Sequence, residues 1–374
     1  MNKSFDFFLF LAEPFGFGPI SSSIALARQI NKLAPQKKCI FLGGGTSHQL
    51  AVRSNVFDEI YFTEELSEQS LTTSNAEINS TNCMIVANTY PAGVAFARRA
   101  KFPCIFIDTL FWMWNQLPIE LSEVKRYYIE DFHCTDLAVD RFGYSDKFKI
   151  VPPLIDVDVA PHPVPHPFLL VSLGGIDSSL YEFPVFYQRL IEYLSNEEQL
   201  EKYTILICGG GKKIRDNEFK KYENPRLAVT CLGPHEYVSK LKAADIVLSS
   251  AGLHGFYENY YLKKNVMFLP PQSYSQYLQL KFILENFGGV VGTNFEELGV
   301  AHNLRENMPE LERIQEVKRT NQILIDERVL QVFFKAFEEF YTGKLRTNWS
   351  NEKNKFEENQ YGPVVLAKEI LSYV

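Results

Sequence analysis

The sequence predicts an α/β protein organised as two parallel-sheet domains. Three observations carry this. Short, nearly continuous apolar runs alternate with longer amphipathic stretches, the pattern of βα units whose strands are covered by helices on both faces. A proline-rich segment, residues 152–167 with prolines at 152, 153, 161, 163, 165 and 167, separates one set of such units from another. Each half opens alike, an apolar run followed at once by glycines: residues 7–11 before Gly16-Phe17-Gly18, and 168–172 before Gly174-Gly175.

In chain order, strands are expected near Phe7–Ala12, 39–42, 84–87, 104–107 and 149–151. Between the first two, Ile20, Ile24, Leu26, Ala27, Ile30 and Leu33 recur at helical spacing. The proline segment cannot be a helix or a central strand and reads as an extended hinge. Beyond it, strands are expected near 168–172, 203–208, 226–231, Ile246–Ser249 and 266–269, each leading through a Gly, Pro or Ser turn into a helical stretch. The expected organisation is a first domain over 1–151, the hinge over 152–167, a second domain over 168–343 and a tail over 344–374. Pro363 suits the first turn of a closing helix in that tail.

The 374 residues are enough for two cores. With 46% hydrophobic and 22% charged residues the chain falls among globular proteins, and a net charge of −7 without a basic block argues against a nucleic-acid partner. Six scattered cysteines without C-x-x-C spacing read as reduced thiols of a cytoplasmic protein. No stretch approaches the roughly 20 apolar residues of a membrane span. The apolar run after Phe5 meets Glu13-Pro14 and reads as a strand, not a signal peptide.

Motif spacing excludes more than it identifies. Gly16-x-Gly18-x-x-Ser21 approaches a dinucleotide fingerprint, but the second strand ends in Gly43-Gly44-Gly45 where an acid would hold a ribose. A nicotinamide or flavin cofactor is therefore not expected. Gly209-Gly210-Gly211-Lys212-Lys213 lacks phosphate-loop spacing and reads as a plain turn. There is no G-x-S-x-G, no H-E-x-x-H and no tight carboxylate cluster, and His162 and His166 lie in the proline segment, where a solvated role is the default.

Residues 232–289 are more informative. Leu232-Gly233-Pro234-His235 precedes a helical span ending in Ala244-Asp245; strand Ile246–Ser249 runs into Ser250-Ala251-Gly252-Leu253, with Glu258 six residues after Gly252; another strand leads to Pro270-Pro271-Gln272, Gln276 and Gln279. This set resembles the GT-B glycosyltransferases, in the branch of the peptidoglycan lipid N-acetylglucosaminyltransferase and related UDP-sugar hydrolases. That branch carries an A-D strand, an S/R-x-G turn, a glutamate about six residues on, and a P-x-Q…Q segment. The resemblance covers about 60 residues well and the rest in outline.

It implies two Rossmann-like domains facing across a cleft, the acceptor on the first and the donor on the second, with the last helix packing back on the first domain. The co-substrate would be a UDP-sugar or dTDP-sugar, with no other cofactor. Ser250 and Gly252, at a helix start, would offer N–H groups to the diphosphate, with Leu253 following in that helix. Glu258 would take the ribose hydroxyls, Gln276 and Gln279 the sugar hydroxyls, Gly174 and Gly175 the donor's other side, and Leu232 and Gly233 the base. The same glycines also serve as ordinary tight turns, and Glu258 alone as a solvated helix residue.

The first domain departs from the family, which follows its first glycines with histidine; here Gly18 is followed by Pro19. Ser21, Ser22 and Ser23 then start a helix, where serines commonly cap N–H groups. An inverting transfer needs a base at the carboxyl end of a first-domain strand. Asp108 and Glu13 are the candidates, Asp108 preferred, though it equally suits capping the segment 109–114. Gly16, Gly18, Ser21, Asn88, Tyr90 and Trp112 would face donor or acceptor. Trp112 and its aromatic neighbours suit core, an acceptor pocket or a peripheral membrane contact, in that order. No D-x-D-like pair precedes a sugar site, so no metal is expected. The expected activity is a metal-independent, inverting transfer of a sugar to a hydroxyl or amine of a small or lipid-linked acceptor. The alternatives are a nucleotide-sugar hydrolase or epimerase, or a non-catalytic binding protein.

Overall fold

A computed structural model describes residues 5–67, 77–114, 116–124, 126–132, 135–142, 146–175, 183–210, 212–305, 308–349 and 362–372. The chain divides into two units, Met1–Asp156 with Lys355–Val374, and Val157–Asn354; the first division falls inside the proline segment, whose residues 152–165 form neither helix nor strand.

The first unit runs β1 (Phe7–Ala12), α1 (Gly18–Leu33), β2 (Lys38–Gly43), α2 (Gly45–Ser54), β3 (Glu59–Phe62), β4 (Cys83–Asn88), α3 (Pro91–Arg99), β5 (Cys104–Asp108), β6 (Arg126–Glu130), α4 (Thr135–Phe142) and β7 (Phe148–Val151). Its seven strands are parallel in the order β3-β2-β1-β4-β5-β6-β7. β1 is buried along its whole length because its alternating side chains feed two cores. Phe8 and Phe10 pack with Ile20, Ile24 and Ala27 of α1, while Phe7, Leu9 and Leu11 pack on the other face with Phe96 and Phe106.

The second unit runs β8 (Phe168–Gly175), α5 (Val185–Asn196), β9 (Thr204–Gly210), α6 (Lys212–Arg215), β10 (Leu227–Thr230), α7 (Pro234–Ala243), β11 (Ile246–Ser249), α8 (Leu253–Tyr261), β12 (Val266–Phe268), α9 (Tyr274–Asn286), β13 (Val291–Gly292), α10 (Glu310–Ile323) and α11 (Glu327–Tyr341). Its strands are parallel in the order β10-β9-β8-β11-β12-β13. In both sheets the order reverses beside the first strand, between β1 and β4 and between β8 and β11. Open α/β sheets place ligands beyond the strand ends at such switch points.

The closing helix α12 (Gly362–Ser372) belongs to the first unit. Leu366, Ala367 and Ile370 join the α1 core, and Glu369 pairs with Lys149 and accepts from the Tyr128 hydroxyl at 3.2 Å. Residues 344–349, expected in the tail, bond within the second unit. Asn348 N–H donates to the Gly289 carbonyl at 2.8 Å, and the Trp349 indole to the Lys264 carbonyl at 2.8 Å.

Three strands escaped the sequence reading. β3 and β6 begin and end in charged or aromatic residues that break an apolar run, and β13 has only two residues. The serines of α1 also behave differently from expectation. Ser22 and Ser23 do not cap N–H groups but donate to the carbonyls of Gly18 (3.1 Å) and Pro19 (2.9 Å) one turn earlier. Cys39, Cys83, Cys104 and Cys208 are buried and Cys231 is half-buried, none of them in a disulfide, and Cys134 lies outside the described residues, as does Gly211. Among the described residues no helix is long and apolar enough to cross a membrane, and no His, Cys, Asp and Glu cluster could hold a metal ion.

Candidate functional site

The second sheet gathers the donor-side residues along one edge. Its strand order sets Leu232-Gly233, then Gly174-Gly175, then the Ser250–Gly252 turn, then Gln272 at or beyond the carboxyl ends of β10, β8, β11 and β12. Ser250 N–H donates to the Ser172 carbonyl at 2.8 Å and Leu269 N–H to the Ser249 carbonyl at 2.8 Å, locking neighbouring turns together.

Two glycines in this edge are glycines for different reasons. Gly174 has φ +72°, and a Cβ there would sit 2.7 Å from the Ser250 hydroxyl, so the fold itself demands glycine. Gly252 has φ −77° and ψ 151°, open to any residue, and a Cβ there would meet nothing within 4 Å. Gly252 is also the N-cap of α8, where Ser, Thr, Asp or Asn would normally cap N–H groups, and no side chain caps them. Glycine at this position clears space over an uncapped helix start.

Glu258 lies half-buried on α8, near Tyr237 of α7 and Cys208 of β9. Burial, then the nearby Glu258 charge, lifts the Tyr237 hydroxyl well above its ordinary pKa, and Ser172 adjoins it. Sequence reasoning missed Tyr237, since nothing in its spacing marks it; only the packing of α7 against β8 and β9 does. Leu232 and Leu253 are buried, so their contribution to an occupant would be backbone.

The glutamines differ among themselves. Gln276 Oε1 accepts from Gln272 N–H at 2.9 Å, and Ser273, the N-cap of α9, accepts from Gln276 N–H at 3.3 Å. Gln276 is thereby tied into its own helix start. Gln279 is buried on the second turn of α9. Gln272, passed over as a candidate, is 2% exposed and donates to the Pro270 carbonyl at 2.8 Å, leaving its Oε1 buried without a partner. The Ala244-Asp245 pair stands at the opposite end of β11, where Asp245 accepts from Phe168 N–H at 2.8 Å and binds His166 at 2.7 Å. His166 is thus paired, not merely solvated.

In the first unit the loop after β1 is stitched to the start of α2. Thr46 donates through its hydroxyl to the Pro14 and Gly16 carbonyls (3.2 and 3.1 Å), and Ser47 to the Glu13 carbonyl. Glu13 N–H reaches the Asn88 carbonyl at 3.2 Å. Burial raises the Glu13 carboxyl to about 7, and burial, then the nearby Glu13 charge, raises Tyr90. Asn88 is fully buried and donates to Ser22 and Ser23 at 3.2 and 3.1 Å, an internal brace. Gly16 and Ser21 are half-buried in the same loop and helix start, and Gly18 opens α1.

Asp108 is a different case from Glu13. It is 0% exposed; one oxygen accepts from Leu110 N–H at 2.8 Å, the other from the Trp114 indole at 2.7 Å and from the Tyr127 hydroxyl. Burial lifts its pKa to about 6 against the pull of these donors. Its carboxylate is spent on holding the 109–114 turn, the capping role open from sequence, and is closed to an acceptor. Trp112, carried on that turn, packs on Phe132 at 5.1 Å with its indole N–H buried and unpartnered.

No family model matches the chain, and no curated protein matches it in sequence. Solved structures do. The glycosyltransferase of kitacinnamycin aligns with a TM-score of 0.51 at 13% identity over 98% of each chain. Arabidopsis thaliana UGT89C1 complexed with UDP aligns at 0.51, and complexed with UDP-L-rhamnose at 0.50, each at 13% identity over 98% of both chains. Likeness at this identity speaks to the fold: two parallel-sheet α/β domains of the GT-B type.

Proposed function

We propose that the chain transfers a sugar from a UDP or dTDP donor to an acceptor hydroxyl or amine, without a metal and with inversion at the anomeric carbon. The observation that carries this is Gly252, a glycine the fold does not require, set over the uncapped start of α8 at the switch point of the second sheet. Free N–H groups and the helix dipole favour the leaving diphosphate there. Glu258 would take the ribose hydroxyls, the Leu232-Gly233 loop the base, Gly174 and Gly175 the donor's other side, and Gln272, Gln276 and Gln279 the sugar hydroxyls.

In this reading the first unit takes the acceptor, small or lipid-linked, and Glu13 is the base in preference to Asp108. The acceptor oxygen bonds to the anomeric carbon as the bond from that carbon to the diphosphate oxygen breaks. The acceptor proton passes to the Glu13 carboxylate, and the nucleoside diphosphate leaves with the bonding pair. A pKa near 7 suits a group that must accept a proton at neutral pH.

Thermal stabilisation by a panel of UDP, dTDP, GDP and NAD tests the donor, because preferential binding to the folded state raises the melting point. UDP or dTDP is expected to stabilise and NAD not. NAD alone doing so would overturn the reading. Rapid, stoichiometric UDP release from UDP-sugars without an acceptor would instead favour a hydrolase on the same scaffold.

A further inference from the structure

Thr89, the first residue past β4, lies on the rim formed by the carboxyl ends of the first sheet. It stands at φ +49°, in the left-handed region, where a β-branched side chain crowds its own backbone. Among the described residues Asn55, Lys101, Asn217 and Lys263 share that region, each one or two positions past a helix end, where a left-handed residue is an ordinary stop. Thr89 instead joins a strand to a helix. The topology does not ask for this. β11, the fourth strand of the second unit, leads to α8 through Ser250-Ala251-Gly252, none of which has a positive φ.

Neighbouring segments hold the strained residue in place. Its N–H donates to the Ile107 carbonyl at 2.7 Å. Its hydroxyl donates to Asn88 Oδ1 at 3.1 Å, accepts from Thr109 N–H at 3.2 Å and lies 3.1 Å from the Thr109 hydroxyl. Both threonines are buried, so water competes little for these bonds.

The residue so aimed is Tyr90. It is the N-cap of α3, and its ring lies in the groove left at Gly93, where a Cβ would stand 3.2 Å from Tyr90 Cδ1 and 3.4 Å from Leu11 Cβ. Glu13 follows Leu11 by two residues and extends the pairing of β1 with β4 through its N–H to Asn88, so it leaves the sheet on the same face. The Glu13 charge reaches Tyr90. The rise of the Glu13 carboxyl comes from burial; His48 in α2, Glu64 and Glu65 after β3, Asp108 ending β5 and Arg98 with Arg99 ending α3 take no part in it.

We propose that Thr89 is a positioning residue: its left-handed backbone, held by Thr109 and Ile107, seats the Tyr90 ring against Glu13 and keeps water from that carboxyl. That the carboxyl serves as the base rests on the proposed function; its shielding does not.

Carbon-13 NMR titration of the full chain, labelled at the glutamate carboxyls, reads the Glu13 midpoint, and the signal missing from Glu13→Gln assigns it. The parent should titrate near pH 7. Tyr90→Ala should make Glu13 at least about tenfold more acidic by admitting water. Thr89→Val keeps the branching but drops the hydroxyl clamp, and should make Glu13 at least about threefold more acidic. Thr89→Asn tolerates the left-handed region and should stay within about twofold of the parent. Where Thr89→Val does not fold, Thr89→Ala is read in its place. A parent midpoint at the ordinary 4.5, or one unmoved by Tyr90→Ala, overturns the proposal. So does a midpoint that Tyr90→Ala lowers and Thr89→Val does not, or one that Thr89→Asn lowers as far as Thr89→Val. These titrations need neither nucleotide nor acceptor, so they stand apart from the base role, which falls instead where Glu13→Gln keeps full turnover.

Discussion

The two sheets share the order 3-2-1-4-5-6 over the first six strands of each half, with a seventh added in the first, yet their carboxyl edges differ. The second edge is lined by glycine turns and an uncapped helix start, with Glu258 beside a buried tyrosine. The first is lined by aromatic rings and a half-buried carboxyl, and the start of α2 meets the loop after β1, where Thr46 N–H donates to the Pro14 carbonyl at 2.9 Å. One topology therefore offers two chemistries. In the proposed reading, the uncapped helix start of the second edge suits a fixed anionic group, whereas the rings and half-buried carboxyl of the first suit a variable nucleophile. What differs is the residue at each strand end, not the scaffold.

The largest effect should come from Glu13→Gln, which keeps the shape and removes the proposed base. Turnover should fall by about 10²–10⁴-fold with UDP affinity unchanged, measured by steady-state kinetics and calorimetry. In the parent protein the rate should climb with pH through about 7, as the carboxyl loses its proton. A variant as active as the parent would move the base elsewhere on the rim.

The paired glycines sharpen the contrast within the second edge. Gly252→Val should cost about 100-fold in UDP affinity with the melting temperature unchanged, since its side chain enters space the protein leaves open. Gly174→Ala should do the reverse first, lowering stability by about 1–3 kcal/mol through a strained positive φ and the clash with Ser250. If both variants merely unfold, the distinction between them is lost and with it the support for an occupant over Gly252.

Asp108→Asn breaks the turn, not the chemistry. One of three donors then faces an amide N–H₂, and a loss of about 1–3 kcal/mol, a few degrees in melting temperature, is expected with UDP affinity intact. A further effect is linked to pH. Burial raises Glu13 from 4.5 to about 7, so between those values the folded state holds a proton that the unfolded state has released. Stability from this group is full below pH 4.5 and is lost as pH rises through 7. Glu13→Gln should therefore melt higher than the parent at pH 8 by a few degrees, a gap that closes by pH 4.5.

Much of this was legible residue by residue. Phe7–Ala12 is apolar at every position, which only a strand covered on both faces explains, and the six prolines between 152 and 167 mark a division that helices and strands cannot cross. That Glu258 stands on the helix opened by Gly252 was legible from their six-residue offset. β3 and β6 were not, since a strand that starts at Glu59 or Arg126 is recognised by its neighbours' hydrogen bonds and not by its own pattern. Nor could spacing rank Asp108 against Glu13. Both close buried strands, and their difference rests on Tyr127 and Trp114, supplied by later segments, which take up the Asp108 carboxylate.

By itself, then, the chain of side chains determined the alternation of strands and helices, the place of the division and the glycines at strand ends, because these follow from local periodicity and backbone freedom. The tertiary structure alone decided which acid is sealed and which stays half-open, and which glycine serves the fold and which clears a space. Burial and contact are properties of residues distant in sequence, and desolvation acts only once they have met.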